Sequence, residues 1–288
     1  MTRNNSIYGM YFSGTGTTEK IVTRVAGRLA EELVEASAAE PAESIDFTPA
    51  AARERIYRFG SGDIVVFGVP VIAGRVPNVL LPFLNTLEGG GALAVPVVLY
   101  GNRNFDDALI ELRNILEDRG FHTVAAAAFV GEHSFSRRLA AGRPDEKDMA
   151  LADDFARRTA EKIRELRRKA DIAGSAAGFS PVPVDGCEPL RPYYQPRDRK
   201  GNPINILKVR PKLDPSKCTG CGICVDACPM GSIKPEAPGV VSGICIKCCG
   251  CEKKCPEGAL YFDDPGYLYH REELELGYPE RREPKLFL

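Results

Sequence analysis

The sequence of 288 residues has almost no net charge and no long apolar run. Its 38 Lys and Arg oppose 39 Asp and Glu, and the formal net charge of −1 argues against a polyanionic partner such as nucleic acid. No stretch reaches the roughly eighteen consecutive apolar residues of a membrane-spanning helix. The first residues, MTRNNSIYGMYFSGTG, lack the charged and apolar regions of a secretory signal. These absences predict a cytoplasmic protein with no membrane segment.

Cysteine is nearly absent from most of the chain. Nine of the ten cysteines lie between Cys218 and Cys255, and the tenth is Cys187. Because cytosolic thiols are kept reduced, such a cluster favours metal binding over disulfide formation. The length of the chain suits two domains, so the cysteine-rich segment is expected to be one of them.

Residues 1–170 alternate short apolar runs with amphipathic stretches. Strands are expected at 7–12, 63–69, 94–101 and 123–130, with a weaker one at 44–47. Helices are expected at 18–35, about 76–87, 104–119 and 145–169. The alanines of 123–130 also suit a helix. This alternation predicts an α/β domain with a doubly wound parallel sheet of five strands.

The composition changes after residue 170. Residues 171–210 are rich in Gly, Pro and Ser without a sustained period, which indicates a connector laid over a surface. Residues 211–265 form the expected cysteine-rich domain, a small α+β unit, and 266–288 form a C-terminal tail.

The cysteines form two runs that repeat at a constant offset. Each run has the spacing C-x2-C-x2-C-x3-C-P, and Gly231 and Gly258 also correspond. The first run contains Cys218, Cys221, Cys224 and Cys228, and the second contains Cys245, Cys248, Cys251 and Cys255. This spacing is that of bacterial ferredoxins, which carry two [4Fe–4S] clusters.

The spacing also predicts how the two clusters share their ligands. Three thiolates two residues apart can wrap one cluster in a tight loop, and Gly220 and Gly222 let the backbone approach it closely. The fourth cysteine of a run leaves that loop and ligates the other cluster. One cluster is therefore expected on Cys218, Cys221, Cys224 and Cys255, and the other on Cys245, Cys248, Cys251 and Cys228.

Other interpretations of these cysteines remain open at this point. A zinc ribbon could use Cys221 and Cys224 with Cys245 and Cys248, although four regularly spaced cysteines would then be idle. Cys249 and Cys187 lie outside the repeat and are read as spare thiols. Cys249 could also replace a neighbouring ligand in a damaged cluster.

The segment YFSGTGTTEKI (11–21) joins the first strand to the first helix. It combines hydroxyl groups with glycines at a helix N-terminus, where free N–H groups can bind an anion. It has no lysine or arginine before Lys20, and it fits neither a Walker A loop nor a dinucleotide fingerprint. The alternative is a capped turn that binds nothing.

The pattern Ser13-x-Thr15-Gly16-x-Thr18 resembles the phosphate loop of flavodoxins, which bind FMN. The resemblance covers residues 1 to about 168 and implies the strand order 2-1-3-4-5. The whole chain resembles the flavodoxin–ferredoxin fusion proteins of anaerobic bacteria and archaea, also at 131–136 and 191–196. The residues implied in FMN binding are Ser13, Gly14, Thr15, Gly16, Thr17, Thr18, Val71, Ile72, Ala73, Gly74, Tyr100, Gly101, Asn102, Arg103 and Phe105.

The resemblance is incomplete at the flavin ring. Many flavodoxins stack aromatic rings on the flavin, but this chain has no tryptophan, and Ile72 stands where an aromatic residue is expected. Tyr100 and Phe105 are the remaining candidates. Arg75 and Arg103 could place positive charge near the flavin or be ordinary surface residues, and His133 could face the flavin or the other domain.

The resemblance implies a cytoplasmic electron-transfer protein with FMN and two [4Fe–4S] clusters, in the redox metabolism of an anaerobe. Joining them would couple one- and two-electron carriers and would require a redox partner protein. A homodimer is possible in this interpretation. The alternatives are a flavin-dependent reductase of a small molecule, fed by its own ferredoxin domain, and a redox or oxygen sensor.

Overall fold

The computed structural model describes residues 6–33, 41–173 and 180–288. The last two residues of the predicted helix 18–35 and residues 174–179 of the predicted connector lie outside these ranges. In the described ranges, no helix combines the length and apolar character needed to cross a membrane.

The N-terminal half forms a central, mostly parallel sheet. Its elements, in chain order, are β1 (Ile7–Tyr11), α1 (Thr17–Leu33), β2 (Glu43–Asp46), β3 (Ile64–Pro70), α2 (Leu81–Leu84), β4 (Leu93–Tyr100), α3 (Ala108–Asp118), β5 (His122–Thr123), β6 (Ala126–Val130) and α4 (Glu146–Ala173). The five main parallel strands lie in the order β2-β1-β3-β4-β6, which confirms the predicted order 2-1-3-4-5, and the two-residue β5 also pairs parallel with β4. This order is that of flavodoxin-like folds.

The sheet is covered on both faces because its central strands are apolar at every position. In β3, Ile64 and Val66 point into a core with α1 and α4, whereas Val65 and Phe67 point into a core with α3. Successive side chains of a strand face opposite sides, so a continuous apolar run fits only a doubly covered strand.

Two predicted helices are shorter than expected, and both start late. The stretch 76–87 forms a 3-10 turn at Asn78–Leu80 followed by the four-residue α2. The stretch 104–119 becomes helical only at Ala108, because Asp106 has a φ of 44°, which no right-handed helix contains.

The described part of the predicted connector, residues 180–210, lies over the N-terminal half and is anchored at Asp107. This fully buried carboxylate accepts hydrogen bonds from the side chain and the N–H of Arg191 and from the N–H of Cys187. The side-chain hydrogen bond from Arg191 is the main reason why the pKa of Asp107 falls to about 2. Further along the connector, the Tyr194 N–H donates to the Ala73 carbonyl at 2.8 Å.

The cysteine-rich segment is built from short elements. These are β7 (Lys212–Leu213), α5 (Ile223–Asp226), β8 (Ile233–Lys234), β9 (Ala237–Val241), α6 (Gly250–Lys253) and β10 (Leu260–Tyr261). β7 pairs with β10 and β8 pairs with β9, both antiparallel. The result is a small ferredoxin-like region beside the larger domain.

The last residues return to the central sheet. The segment predicted as a tail contains α7 (Pro265–Gly277), capped by Asp264, and β11 (Lys285–Phe287). β11 pairs antiparallel with β6 at the edge of the sheet. The end of the chain therefore fastens the ferredoxin-like region to the flavodoxin-like domain.

Candidate cofactor sites

The eight cysteines of the repeat surround two cavities. The first, called the outer cavity, is lined by Cys218, Cys221, Cys224 and Cys255. The second, called the inner cavity, is lined by Cys228, Cys245, Cys248 and Cys251, and also by Cys249 from outside the repeat. Each has a volume of about 370 Å³ with its mouth included. Each cavity thus takes three cysteines from one run and the fourth from the other.

Backbone conformation explains how one run reaches two cavities. Gly220 and Gly222 have φ values of 73° and 78°, which curl the first loop around the outer cavity. Their counterparts in the second run, Lys247 and Cys249, take φ values of 55° and 57° without the freedom of glycine. The two loops therefore have the same backbone conformation. In the second loop this conformation is strained, because positive φ values are unfavourable for residues other than glycine.

The fourth cysteine of each run is bonded in the same way. The N–H of Ser232 donates to the Cys228 sulfur, and the N–H of Ala259 donates to the Cys255 sulfur, both at 3.3 Å. An N–H group directed at sulfur stabilises the thiolate, which is the form that binds metal. The duplication seen in the sequence is thus repeated in the structure, where Cys228 and Cys255 each accept the same N–H hydrogen bond at sulfur.

The thiols fit an iron–sulfur cluster better than a single metal ion. Cys221 and Cys224 line one cavity and Cys245 and Cys248 the other, so the zinc-ribbon interpretation fails. Nowhere in residues 6–33, 41–173 and 180–288 do three His, Cys, Asp or Glu side chains stand close enough for one ion. Burial raises the pKa of Cys248 to about 11, and a thiol of this kind loses its proton when it binds a metal.

The two cavities differ in their surroundings. At the outer cavity Cys221 is exposed, and Ile223 beside it is 40% exposed. At the inner cavity Cys251 is buried, and Ile246 packs against the core of the flavodoxin-like domain. A redox partner can therefore approach the outer cavity more closely than the inner one.

The two cysteines outside the repeat play different parts. Cys249 is buried, and its sulfur lies 3.4 Å from the hydroxyl of Tyr267. Burial raises the pKa of Cys249 well above its ordinary value, so the thiol stays protonated and packs in a small core with Phe262. Cys187 is exposed on the connector, where its N–H binds Asp107.

The loop before α1 offers open hydrogen-bond donors. Ser13 is used internally, since its N–H donates to Thr48 and its hydroxyl oxygen accepts the N–H of Glu19. Within the described residues, the N–H groups of Thr15, Gly16, Thr17 and Thr18 have no acceptor. Gly16 has a φ of 91° and open space on its side-chain position. The loop therefore fits an anion such as a phosphate.

The hydroxyl groups of this loop are not equivalent. Thr18 is almost fully buried, and its methyl group faces Gly68. Thr17 lies against Gly131, whereas Thr15 is half-buried and makes no internal hydrogen bond within the described residues. Thr15 is thus the hydroxyl most available to a ligand.

The second predicted FMN loop is a tight turn with half-buried apolar residues. Ile72 and Arg75 exchange backbone hydrogen bonds at 3.0 and 3.2 Å, with Ala73 and Gly74 at φ values of 52° and 76° between them. Val71 continues the sheet, because its N–H donates to the Leu99 carbonyl. The Arg75 side chain turns away to pair with the buried Glu111, 2.7 Å distant.

Most side chains of the third predicted FMN loop form contacts within the protein. Tyr100 and Phe105 are 6% and 4% exposed, with ring centroids 5.6 Å apart in the core, so neither presents a face to a ligand. The Asn102 amide donates to the carbonyls of Tyr278 and Glu280. Arg103 pairs with Asp106 and lies over Tyr194. Gly101 is the one predicted position in this loop that has no side chain to form such contacts.

His133 stands beside Gly101 in the loop after β6. Its ring packs on Gly101, and its Nδ1 accepts the N–H of Phe135 at 3.1 Å. Burial is the main cause that lowers the pKa of His133 to about 3, so the ring is neutral near pH 7. Lys253 of α6 donates to the carbonyls of His133 and Ser136 and to Glu132. This loop thus ties the cysteine-rich region to the flavodoxin-like domain.

The inner cavity touches the loop that offers the anion site. A Cβ atom added at Gly14 would lie 3.0 Å from the Cys248 Cβ and 3.4 Å from its sulfur. A Cβ atom added at Gly250 would lie 2.6 Å from the Gly14 carbonyl oxygen. Only glycine permits this contact, which brings a predicted cluster ligand against the predicted phosphate loop.

Comparison with known proteins supports a 4Fe-4S region in the cysteine-rich segment. Residues 211–234 match the family described as 4Fe-4S binding domain. A stretch of 45 residues is 47% identical to one subunit of the Na(+)-translocating ferredoxin:NAD(+) oxidoreductase complex of Acetobacterium woodii. That stretch is 15% of this chain and spans only 12% of the relative's length.

Solved flavodoxins are similar to the other half. The flavodoxin of Streptococcus pneumonia TIGR4 is 18% identical, with a TM-score of 0.36, over 53% of this chain and 96% of its own. Flavodoxin 1 of Bacillus cereus is 17% identical, with a TM-score of 0.34, over 53% of this chain and 95% of its own. The flavodoxin-like fold itself rests on the strand order β2-β1-β3-β4-β6. The chain thus joins a flavodoxin-like domain to a ferredoxin-like 4Fe-4S region, an arrangement that indicates electron transfer.

Proposed function

We propose that this protein transfers electrons between FMN and two [4Fe–4S] clusters within one chain, and between these cofactors and a partner. The grouping of the eight cysteines around two cavities, one of them against an open anion-binding loop, is the observation that carries the proposal. When bound, FMN exchanges one or two electrons and each cluster exchanges one, so the chain can match the two kinds of carrier.

The residues assigned to FMN follow from the open positions of the flavodoxin-like domain. The N–H groups of Thr15 to Thr18 and the Thr15 hydroxyl hold the phosphate in this proposal. The half-buried Val71, Ile72 and Ala73 and the backbone at Gly101 line the ring. Since Tyr100 and Phe105 are in the core, aliphatic groups replace aromatic stacking.

The clusters are assigned by cavity. Cys218, Cys221, Cys224 and Cys255 hold the outer cluster, and Cys228, Cys245, Cys248 and Cys251 hold the inner one. The exposed loop at Cys221 faces the redox partner. In this assignment the functional units are the predicted domains, 1–170 and 211–265, joined by the connector 171–210 in a cytoplasmic protein.

Counting electrons tests the function directly. Anaerobic reductive titration of the purified protein, followed by absorbance, should consume about four electrons per chain, two for FMN and one for each cluster. A protein that takes up electrons only in the presence of a small-molecule substrate would instead be a reductase. An uptake of two electrons by iron–sulfur absorbance alone would exclude FMN from the function.

Replacing Thr15 tests the phosphate loop. Thr15→Ala removes a hydroxyl donor to a charged phosphate, a hydrogen bond worth roughly 1.5–3 kcal/mol, so FMN should bind roughly tenfold to hundredfold more weakly. Fluorescence titration of the flavin-free protein gives the Kd. Thr23→Ala is the matched control, because Thr23 is half-buried further along the same helix and its hydroxyl donates to the Glu19 carbonyl. Equal affinities of the two variants would place the phosphate elsewhere.

A further inference from the structure

Arg53 is a half-buried cation without a carboxylate partner. It lies in the short 3-10 helix Ala50–Glu54, and its guanidinium donates to three carbonyl oxygens: those of Phe47 at 2.9 Å, Thr48 at 2.5 Å and Pro229 at 2.5 Å. In the described part of the chain, no carboxylate lies within ion-pair distance of it. Burial lowers the pKa of Arg53, whereas the more distant charge of Asp46 raises it. A desolvated cation of this kind is favoured where anions bind nearby.

The contacts of Arg53 lead to two predicted anion sites. On one side is Thr48, whose hydroxyl oxygen accepts the N–H of Ser13 at 2.7 Å, at the start of the phosphate loop. On the other side is Pro229, which directly follows Cys228 in the wall of the inner cavity. The guanidinium also reaches the sulfur of Met230, 3.9 Å away. One side chain therefore connects the phosphate loop to a ligand segment of the inner cluster.

We propose that Arg53 is a positioning and charge-balancing residue shared by the inner cluster and the FMN phosphate loop. The inference rests on the proposed function and adds a residue that no cysteine or glycine pattern indicates. One-electron reduction of the inner cluster adds one negative charge and breaks no bond, with dithionite as the electron source. The positive charge of Arg53 stabilises the reduced form, so it raises the reduction potential of the inner cluster.

The carbonyl contacts give Arg53 a second effect that charge alone does not provide. The planar guanidinium donates in several fixed directions at once, whereas an ammonium group is a compact point charge. Arg53→Lys should therefore keep the potential of the inner cluster but loosen the position of Thr48 and Ser13. Arg53→Met should lose both the charge and the contacts.

The test is a redox titration of the anaerobic holoprotein, reduced with dithionite and followed by electron paramagnetic resonance. In Arg53→Met, we expect the ratio of reduced to oxidised inner cluster to fall about tenfold at a given potential, a shift of 59 mV for a one-electron couple. The outer cluster should not shift. The background Cys218→Ala with Cys221→Ala, which lacks the outer cluster, identifies the inner signal. FMN affinity, measured separately, should fall about tenfold in both Arg53→Met and Arg53→Lys.

Arg55→Met is the control, because Arg55 is an exposed arginine two residues further along the chain. An unchanged inner potential in Arg53→Met, or an equal shift in Arg55→Met, would overturn the proposal. If Arg53→Met does not assemble the inner cluster, Arg53→Lys decides: a potential within the error of the parent supports the charge role, and a shift of tenfold or more overturns it. Absence of both clusters from the parent protein would contradict the proposed function rather than this inference.

Discussion

Cys228→Ala is expected to abolish the inner cluster, although Cys228 belongs to the first cysteine run. In the structure Cys228 lines the inner cavity with Cys245, Cys248 and Cys251, whereas Cys255 lines the outer one. The short helices α5 and α6 carry the chain from the third to the fourth cysteine of each run, away from the loop that holds the first three. Removal of one of four thiolates destroys a four-iron cluster or converts it to a three-iron form.

The crossed arrangement is best tested in a protein that has only the inner cluster. The double variant Cys218→Ala with Cys221→Ala is expected to remove the proposed outer cluster, at the exposed Cys221, and to leave the contact with the flavodoxin-like domain in place. Adding Cys228→Ala to this background should erase the remaining four-iron signal, and adding Cys255→Ala should spare it. Electron paramagnetic resonance of the two triple variants is the measurement. The reverse result would mean that each run binds its own cluster.

Gly250→Ala is expected to weaken FMN binding from the far side of the domain boundary. The new methyl group would lie 2.6 Å from the Gly14 carbonyl oxygen and 3.2 Å from that of Ala227, so the backbone on one side must move. Overpacking of a tight contact costs roughly 1–3 kcal/mol, which corresponds to a loss of FMN affinity of about fivefold to hundredfold if the phosphate loop is what shifts. Fluorescence titration of FMN measures the loss.

Gly277→Ala is the matched control for this substitution. Gly277 ends helix α7, and among the described residues no atom outside its chain neighbours and its own helix backbone lies within 4 Å of its side-chain position. This variant should bind FMN as the parent does. If Gly250→Ala also binds FMN normally while its iron content is unchanged, the inner cysteine loop and the phosphate loop are not coupled.

The sequence was sufficient for the elements whose signal is local. The strands at 63–69 and 94–101 are continuous apolar runs, and the structure places them in the middle of the sheet, buried on both faces. The alternation with helices then allowed few topologies, so the strand order was predictable. The run at 123–130, which also suited a helix, is a strand at Thr123 and again from Ala126 onward, because both parts pair with β4.

The sequence was insufficient where structure depends on distant partners. β11 has only three residues, Lys285–Phe287, and it is a strand because it pairs with the edge of β6. Tyr100 and Phe105 looked like ring contacts because they follow a strand, but aromatic residues at such a position also suit the core, where the structure buries them. Neither the pairing of β11 nor the burial of these two aromatic rings can be predicted from the neighbouring residues in the sequence.

The contacts between the two halves left no pattern in the sequence. Gly14, in the anion loop, and Gly250, beside the inner cavity, are 236 residues apart in the sequence. The chain has 28 glycines, so neither position stands out in the sequence. Arg53 is one of many arginines, and its contacts in the folded chain mark it out, because they join Thr48 to Pro229. The internal repeat, by contrast, was readable because its five positions recur at one offset.

The proposed function requires that one chain holds FMN and two four-iron clusters. The most direct test is the cofactor content of the protein purified without oxygen, determined by metal analysis and by chromatography of the released flavin. We predict about eight iron atoms and about one FMN per chain. Zinc with little iron, four iron atoms or fewer in fully loaded protein, or a flavin extract without FMN would contradict it.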